Sequence, residues 1–298
     1  MKKPHKQASQ PAGAEPLYMP ADSLVSSQWH LVNTGQNGGT PGIDINVTKV
    51  WDDYHGTGIS VGIYDDGVDY NHADLNDNYD GSKHIVIGGT TYTALPTSLT
   101  ASGDTHGTAV AGIIAAENNG TGSVGIAYDA SITGVPILRS TNAADTLLAM
   151  AQMGKFDVVN NSWGYSTAFS VNVLSGNSFW TSLADTLASA ADTGRGGLGT
   201  IIVKSAGNSR SGGHETNYDN FTSDRHVIAV GAVDYKGMVS YYSNPGASLL
   251  VSAPSSNLSV GITTTDLSGA SGKDAGDYRT DFGGTSAAAP VISGVAAL

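Results

Sequence analysis

The chain predicts an α/β protein in which a parallel sheet is covered by helices on both faces. Three observations lead there: short β-branched runs recur along the sequence, several of them are apolar without interruption, and helix-like stretches alternate with them. The runs are ISVGIY (59–64), HIVIGG (84–89), SITGVPI (131–137), DVVNNS (157–162), TIIVKSAG (200–207), HVIAVGAV (226–233) and LLVSAP (249–254). Helical patterns fill TAVAGIIAAE (108–117), AADTLLAMAQMG (143–154) and SFWTSLADTLASAADTG (178–194), and the chain closes on the alanine-rich GGTSAAAPVISGVAAL (283–298). In open parallel sheets the reacting groups collect beyond the carboxyl ends of the strands, so the residues that follow each run are the place to look.

Composition narrows the function classes. The 298 residues are 40% hydrophobic and include 39 glycines, which suits a loop-rich domain with a sizeable core. Lysine and arginine number 14 against 26 acidic residues, a formal net charge of −12. That argues against nucleic acid, whose binding needs clustered cations. The absence of cysteine excludes disulfides, thiolate zinc sites and a thiol nucleophile, and leaves the redox compartment open. No apolar run approaches the ~20 residues of a membrane span. The opening MKKPHKQASQPAGAEP is basic but has no apolar stretch of the signal-peptide kind, so residues 1–21 read as a polar tail before one domain over 22–298. The last apolar pattern reaches Leu298 without a stop signal, so the domain is expected to be cut within its final helices.

Four polar residues stand at element ends. Asp65 follows ISVGIY, His106 opens the helix of GDTHGTAVAGIIAAE, Asn208 follows TIIVKSAG, and Ser286 opens the terminal helix. Acyl transfer through a covalent intermediate uses such a set. A serine hydroxyl needs a base within hydrogen-bond reach, an imidazole has a suitable pKa, a carboxylate fixes the imidazole's tautomer, and an amide N–H can receive the oxyanion. Each residue also has a plainer use: Asp65 in an Asx-turn before Gly67, His106 at a helix start, Asn208 in a turn after Gly207, Ser286 as an N-cap. A metal hydrolase is a further reading, but no two histidines sit at the spacing such sites favour.

In the contexts DDGVDYNHADL, HGTAVAGIIAA, NNSWG, SAGN and GTSAAAP, the order Asp, His, Asn, Ser resembles the subtilisin-like serine proteases, the subtilases, over residues 22–298. The doubled Asp65-Asp66, the opening SQWHLVNTGQ and the run GRGGLGTIIVKSAGN are similar to the kexin and furin branch. The resemblance implies a three-layer α/β core of about seven parallel strands, action outside the cytosol, and peptide-bond hydrolysis. In it Asp65 orients, His106 is base and then acid, Asn208 polarises the carbonyl and Ser286 attacks. Ser162, Trp163 and Gly164 match the strand that pairs with an extended polypeptide substrate. The alternative is a catalytically silent subtilase fold used for binding.

The same resemblance implies a structural calcium ion, held by the side chains of Asp22, Asp74 and Asn119 and the carbonyls of Glu117, Thr121 and Ser123; oxygen-only ligation of this kind suits Ca²⁺. A second calcium of the branch is expected to be absent, because Thr167, His214 and Asn244 replace its acids. The side chain before the scissile bond is expected in a pocket walled by residues 162–164 and by Ser205, Ala206 and Gly207, with Asp219 as its floor. Asp219 favours a basic residue there, and Asp66 a second one just upstream. Arg139 and the stretch Tyr165-Ser166-Thr167 stand where the branch carries acids, so the preference is expected to be moderate.

Overall fold

Side chains along the central strands alternate between two hydrophobic cores. Val61 and Ile63 enter one and Tyr64 the other; Val158 and Val159 divide the same way, as do Val203 and Ile202. This is what the period of two produces when a sheet is covered on both sides. The computed structural model describes residues 18–93, 95, 105–140, 142–165, 167–169 and 178–298. Most of the expected polar tail, and Ser166, lie outside the described residues.

The sheet has six strands: β1 (Ser60–Tyr64), β4 (Ser131–Val135), β5 (Val158–Asn161), β6 (Ile201–Ser205), β7 (Val227–Val233) and β8 (Leu249–Pro254). They run parallel in the order β4-β1-β5-β6-β7-β8. Chain order reverses at β1, whose neighbours are β4 and β5, and a crevice at the carboxyl ends is expected beside such a strand. The run HIVIGG does not join this sheet. It forms a hairpin of β2 (Val86–Ile87) and β3 (Thr90–Thr91), because Gly88 and Gly89 take φ of 58° and 82° and turn the chain back at once. Six strands thus stand among the described residues where about seven were expected.

Helices α1 (His106–Ala115) and α4 (Thr285–Ala297) pack on one face of the sheet, and α2 (Ala143–Met150) and α3 (Ser178–Gly197) on the other. Residues 107–115 of α1 are all buried, as is most of α4. Helices apolar all round lie inside a protein, and here they carry the two ends that point at the crevice. An antiparallel ribbon of β9 (Ile262–Thr265) and β10 (Tyr278–Phe282), unanticipated from the sequence, holds α1 in place. The Thr264 and Thr265 hydroxyls donate to the carbonyls of Ala109 and Thr108, each at 2.7 Å. Among the described residues no helix is long and apolar enough to cross a membrane.

Candidate active site

Asp65 leaves the end of β1 fully buried, and its Oδ1 accepts from His106 Nδ1 at 2.8 Å and from the Asp66 amide at 2.8 Å. Its Oδ2 is buried and without a partner among the described residues, so the carboxylate keeps a strong demand for positive charge. Burial alone would pull the His106 pKa down. The charge and hydrogen bond of Asp65, with Asp66 adding, outweigh that and raise it above the usual histidine value. The Phe282 ring stands edge-on to the imidazole at 5.2 Å.

Asp66 does a job that its motif did not reveal. Its two oxygens accept from the backbone N–H groups of His106 (3.0 Å) and Gly107 (2.7 Å), which satisfies orphan donors at the start of α1 and places a carboxylate at the positive end of the helix. Burial and the neighbouring Asp65 still push Asp66 up to about 6. The helix can come this close because residue 107 is glycine; a Cβ there would sit 2.1 Å from the Gly67 carbonyl oxygen.

Ser286 is not the N-cap of α4. Gly284 holds the cap position with φ of 75°, and Ser286 lies inside the first turn. Its Oγ donates to the Ser162 carbonyl at 2.9 Å, and Ser162 Oγ donates back to the Ser286 carbonyl at 3.0 Å. Pro290 accounts for the second bond. Having no N–H, it leaves the carbonyl four residues earlier without its helical donor, and the serine at the end of β5 supplies one. Asn160 and Ser293 extend this network, unforeseen from sequence: Asn160 Nδ2 donates to Ser162 Oγ at 2.9 Å and Ser293 Oγ to Asn160 Oδ1 at 2.8 Å. Their signals were visible in retrospect, as an asparagine inside an apolar strand and a serine inside an alanine-rich helix.

Asn208 is oriented by the same helix start. Its Oδ1 accepts from the Thr285 amide (2.8 Å) and hydroxyl (2.9 Å), so the amide N–H groups face the other way. Gly284 is required here too, since a Cβ would lie 2.9 Å from Asn208 Nδ2. Ser162, Trp163, Gly164, Asn208 and Ser286 line one cavity of about 200 Å³. His106 stands outside that lining, beside Phe282.

A second cavity adjoins the first. Gly164, Ser205, Ala206, Gly207 and Asp219 line it, which joins part of the predicted wall to the predicted floor, while Ser162 and Trp163 line the first cavity and not the second; Lys204, unforeseen from the sequence, lines the second as well. Lys204 is 1% exposed; its ammonium donates to the carbonyls of Trp163 and, at 3.3 Å, Ser205, and lies 5.2 Å and 5.5 Å from the centroids of the Trp163 and Phe221 rings. Burial pushes it down to about 8, with Asp219 opposing. Asp219 Oδ1 accepts from the Thr222 amide (2.7 Å) and hydroxyl (2.8 Å) of its own loop.

The side chains predicted to hold calcium also meet. Asp22 Oδ1 accepts from the amides of Asn119 and Gly120 at 3.0 Å, and its Oδ2 is buried with no partner among the described residues. Asp74 Oδ2 accepts from the Ser123 amide and hydroxyl at 3.0 Å, and Oδ1 from Asn119 Nδ2 at 3.1 Å. The Glu117 carboxylate joins them, 3.4 Å from Asn119 Nδ2, although the sequence had suggested only its carbonyl. Burial pushes Asp74 up to about 7, and the charges of Asp22 and Glu117 add to it. Asn119 turns its NH₂ toward the acids, while its Oδ1 accepts from the amide and hydroxyl of Thr121. Among the described residues no three His, Cys, Asp or Glu side chains converge as metal ligands, so a bound cation would rest on Asp22 and Asp74 together with amide and carbonyl oxygens.

A parallel three-layer sheet with an Asp–His pair beyond β1 and a serine at the mouth of a buried helix defines a subtilisin-like domain. Residues 56–298 match the family model described as the subtilase family, and the chain belongs to that family. Neuroendocrine convertase 2 of Bos taurus is 33% identical over 288 residues, covering 93% of this chain and 43% of that protein. The chain therefore spans less than half the length of this relative. Among solved structures, a serine protease of Aeromonas sobria matches with a TM-score of 0.82 at 27% identity, over 96% of this chain and 56% of that one. A protease from Pseudoalteromonas arctica matches with a TM-score of 0.69 at 26% identity, over 94% and 86%.

Proposed function

We propose that the chain is a serine endopeptidase domain that acts on polypeptides through an acyl-enzyme on Ser286. The observation that carries this reading is the 2.8 Å bond from His106 Nδ1 to buried Asp65. It leaves His106 Nε2 as the atom that takes a proton. A substrate lies extended along residues 162–164, the Ser286 oxygen adds to its carbonyl carbon, and the serine proton passes to His106. Asp65 stabilises the imidazolium that forms, and the Asn208 amide donates to the oxyanion. His106 then protonates the leaving amine, and water releases the acyl group by the same steps in reverse order.

Calcium is part of the proposal as a structural ion held by Asp22, Asp74 and Asn119 with the carbonyls of Glu117, Thr121 and Ser123. Crowding of acids around the orphaned Asp22 oxygen supports it. The reading extends to action outside the cytosol, which rests on the family resemblance. A preference for a basic residue before the cut is supported by Asp219 in the second cavity and opposed by Lys204 beside it, so the proposal is a moderate preference. Asp66 has only its remaining lone pairs for a second basic residue.

The competing reading, a silent binding module, draws on one observation: the Ser286 hydroxyl is bonded to the Ser162 carbonyl. Catalytic hydrogen bonds often tighten only when substrate is present. Hydrolysis of an unstructured protein such as denatured casein decides between the two. The endopeptidase reading predicts cleavage that Ser286→Ala abolishes; binding without cleavage by the unaltered chain would reject it.

A further inference from the structure

The second cavity already holds a cation of its own. Lys204 is anchored on β6, whose alternation sends Val203 into the core shared with α1 and α4 and the lysine to the opposite face. There the ammonium meets two backbone carbonyls, two aromatic faces and the charge of Asp219, and the cavity is left with only about 30 Å³ of open volume. That is room for a water or a very small side chain. A buried ammonium needs this many partners to remain charged, and a second cation brought beside it has to overcome like-charge repulsion in a poorly screening environment.

We propose that Lys204 is a specificity-determining residue: an internal occupant of the pocket that holds the side chain before the scissile bond, compensating Asp219 and limiting the acceptance of basic substrates. This rests on the endopeptidase reading. A long basic side chain enters fully only by displacing the lysine head, whereas a small uncharged one fits beside it. Exchanging the ammonium for an apolar stem of similar length removes the lysine charge near Asp219 and deepens the cavity. A substrate arginine or lysine then supplies the missing charge.

The test uses two peptidyl diphenyl phosphonates that are identical except for an arginine-like or an alanine side chain next to phosphorus. Attack by Ser286 forms an O–P bond, expels phenoxide and passes the serine proton to His106, so the rate of labelling located on Ser286 by mass spectrometry reads each side chain separately. In Lys204→Met the ratio of arginine to alanine labelling should rise by about tenfold or more, the size expected when a paired charge replaces a repelled one. Adding Asp219→Asn should abolish the rise. A melting curve shows whether Lys204→Met is folded. If it is not, the unaltered chain is followed from about pH 7 to 9, where a buried ammonium pushed down to about 8 loses its proton and arginine keeps its own. The other titratable groups of the cavity are Asp219, Glu215, His214 and Tyr165, the last pushed up by burial. His106 acts on both reagents and cancels in the ratio, which should rise with pH. An unchanged or falling ratio with intact labelling overturns the role of Lys204. Absence of labelling by either reagent overturns the endopeptidase reading instead.

Discussion

Two of the regions that bury carboxylates satisfy them in different ways. Beyond β1, Asp65 is fully buried and has an imidazole from the chain itself bonded to it. Between the N-terminal segment and the loop after α1, Asp22, Asp74 and Glu117 are also buried, but the side-chain amide of Asn119 donates to Asp74 and Glu117 while Asp22 accepts from the backbone N–H groups of Asn119 and Gly120. The first pair shifts His106 toward its charged form, while the second cluster pushes Asp74 toward its neutral one. The difference teaches which region is self-sufficient. The Asp65 carboxylate meets a basic side chain of the fold, whereas the acids of the cluster meet only neutral donors, which is why a structural cation is proposed there.

The comparison breaks first at its stronger side. Asp65→Asn leaves the volume unchanged but loses the charge that favours imidazolium and the acceptor that fixes its tautomer. Steady-state assays should show a kcat loss of ~10⁴ with the melting curve little changed, in line with other serine-hydrolase triads. Retained activity would mean that His106 works without it. Asn208→Ala removes the donor that Thr285 orients, and kcat should fall by ~10²–10³ with KM nearly constant. A rise in KM alone would move Asn208 from the transition state to substrate binding.

On the weaker side, excess EGTA should lower the melting temperature by roughly a few °C if the acidic cluster binds a cation. Asp74→Asn should blunt that response, and an unchanged melting curve with EGTA would make the cluster self-sufficient as well. The smallest effect is one of pH. Because the folded pKa of His106 is raised, its contribution to stability is complete below the unfolded histidine value and is lost as pH rises through the folded one. Catalysis runs the other way, since the base must be unprotonated, so kcat/KM should climb across a range above the usual histidine pKa. Asp65→Asn should move that limb downward; a limb below the usual value in the unaltered chain would contradict the assignment.

Sequence made the residues proposed to react legible because each stands where one element ends and the next begins, close to glycines that the geometry requires. Residues 107 and 284 show why: side chains there would collide with the Gly67 carbonyl and the Asn208 amide. The strand-helix alternation carried the three-layer fold because the central strands, such as β1, are buried on both faces. What stayed hidden depended on long-range pairing. HIVIGG looks like a sheet strand until its two glycines turn it into a hairpin, and the ribbon of β9 and β10 has little apolar periodicity of its own. Lys204 was overlooked because six residues of apolar and small character, 201–203 and 205–207, surround it, and only the structure shows that its side chain ends against Trp163 and near Asp219. The bond between Ser162 and the carbonyl freed by Pro290 joins residues 124 apart and leaves no local pattern.

Ser286 is proposed as the nucleophile served by the Asp65–His106 pair. This assignment is tested most directly by incubating the chain with a sulfonyl fluoride and locating the adduct by mass spectrometry alongside residual peptidase activity. One adduct per chain on Ser286, formed in step with loss of activity and slowed strongly by Asp65→Asn, is the predicted result. Full activity with Ser286 modified, or stoichiometric labelling at another residue with Ser286 untouched, would contradict it.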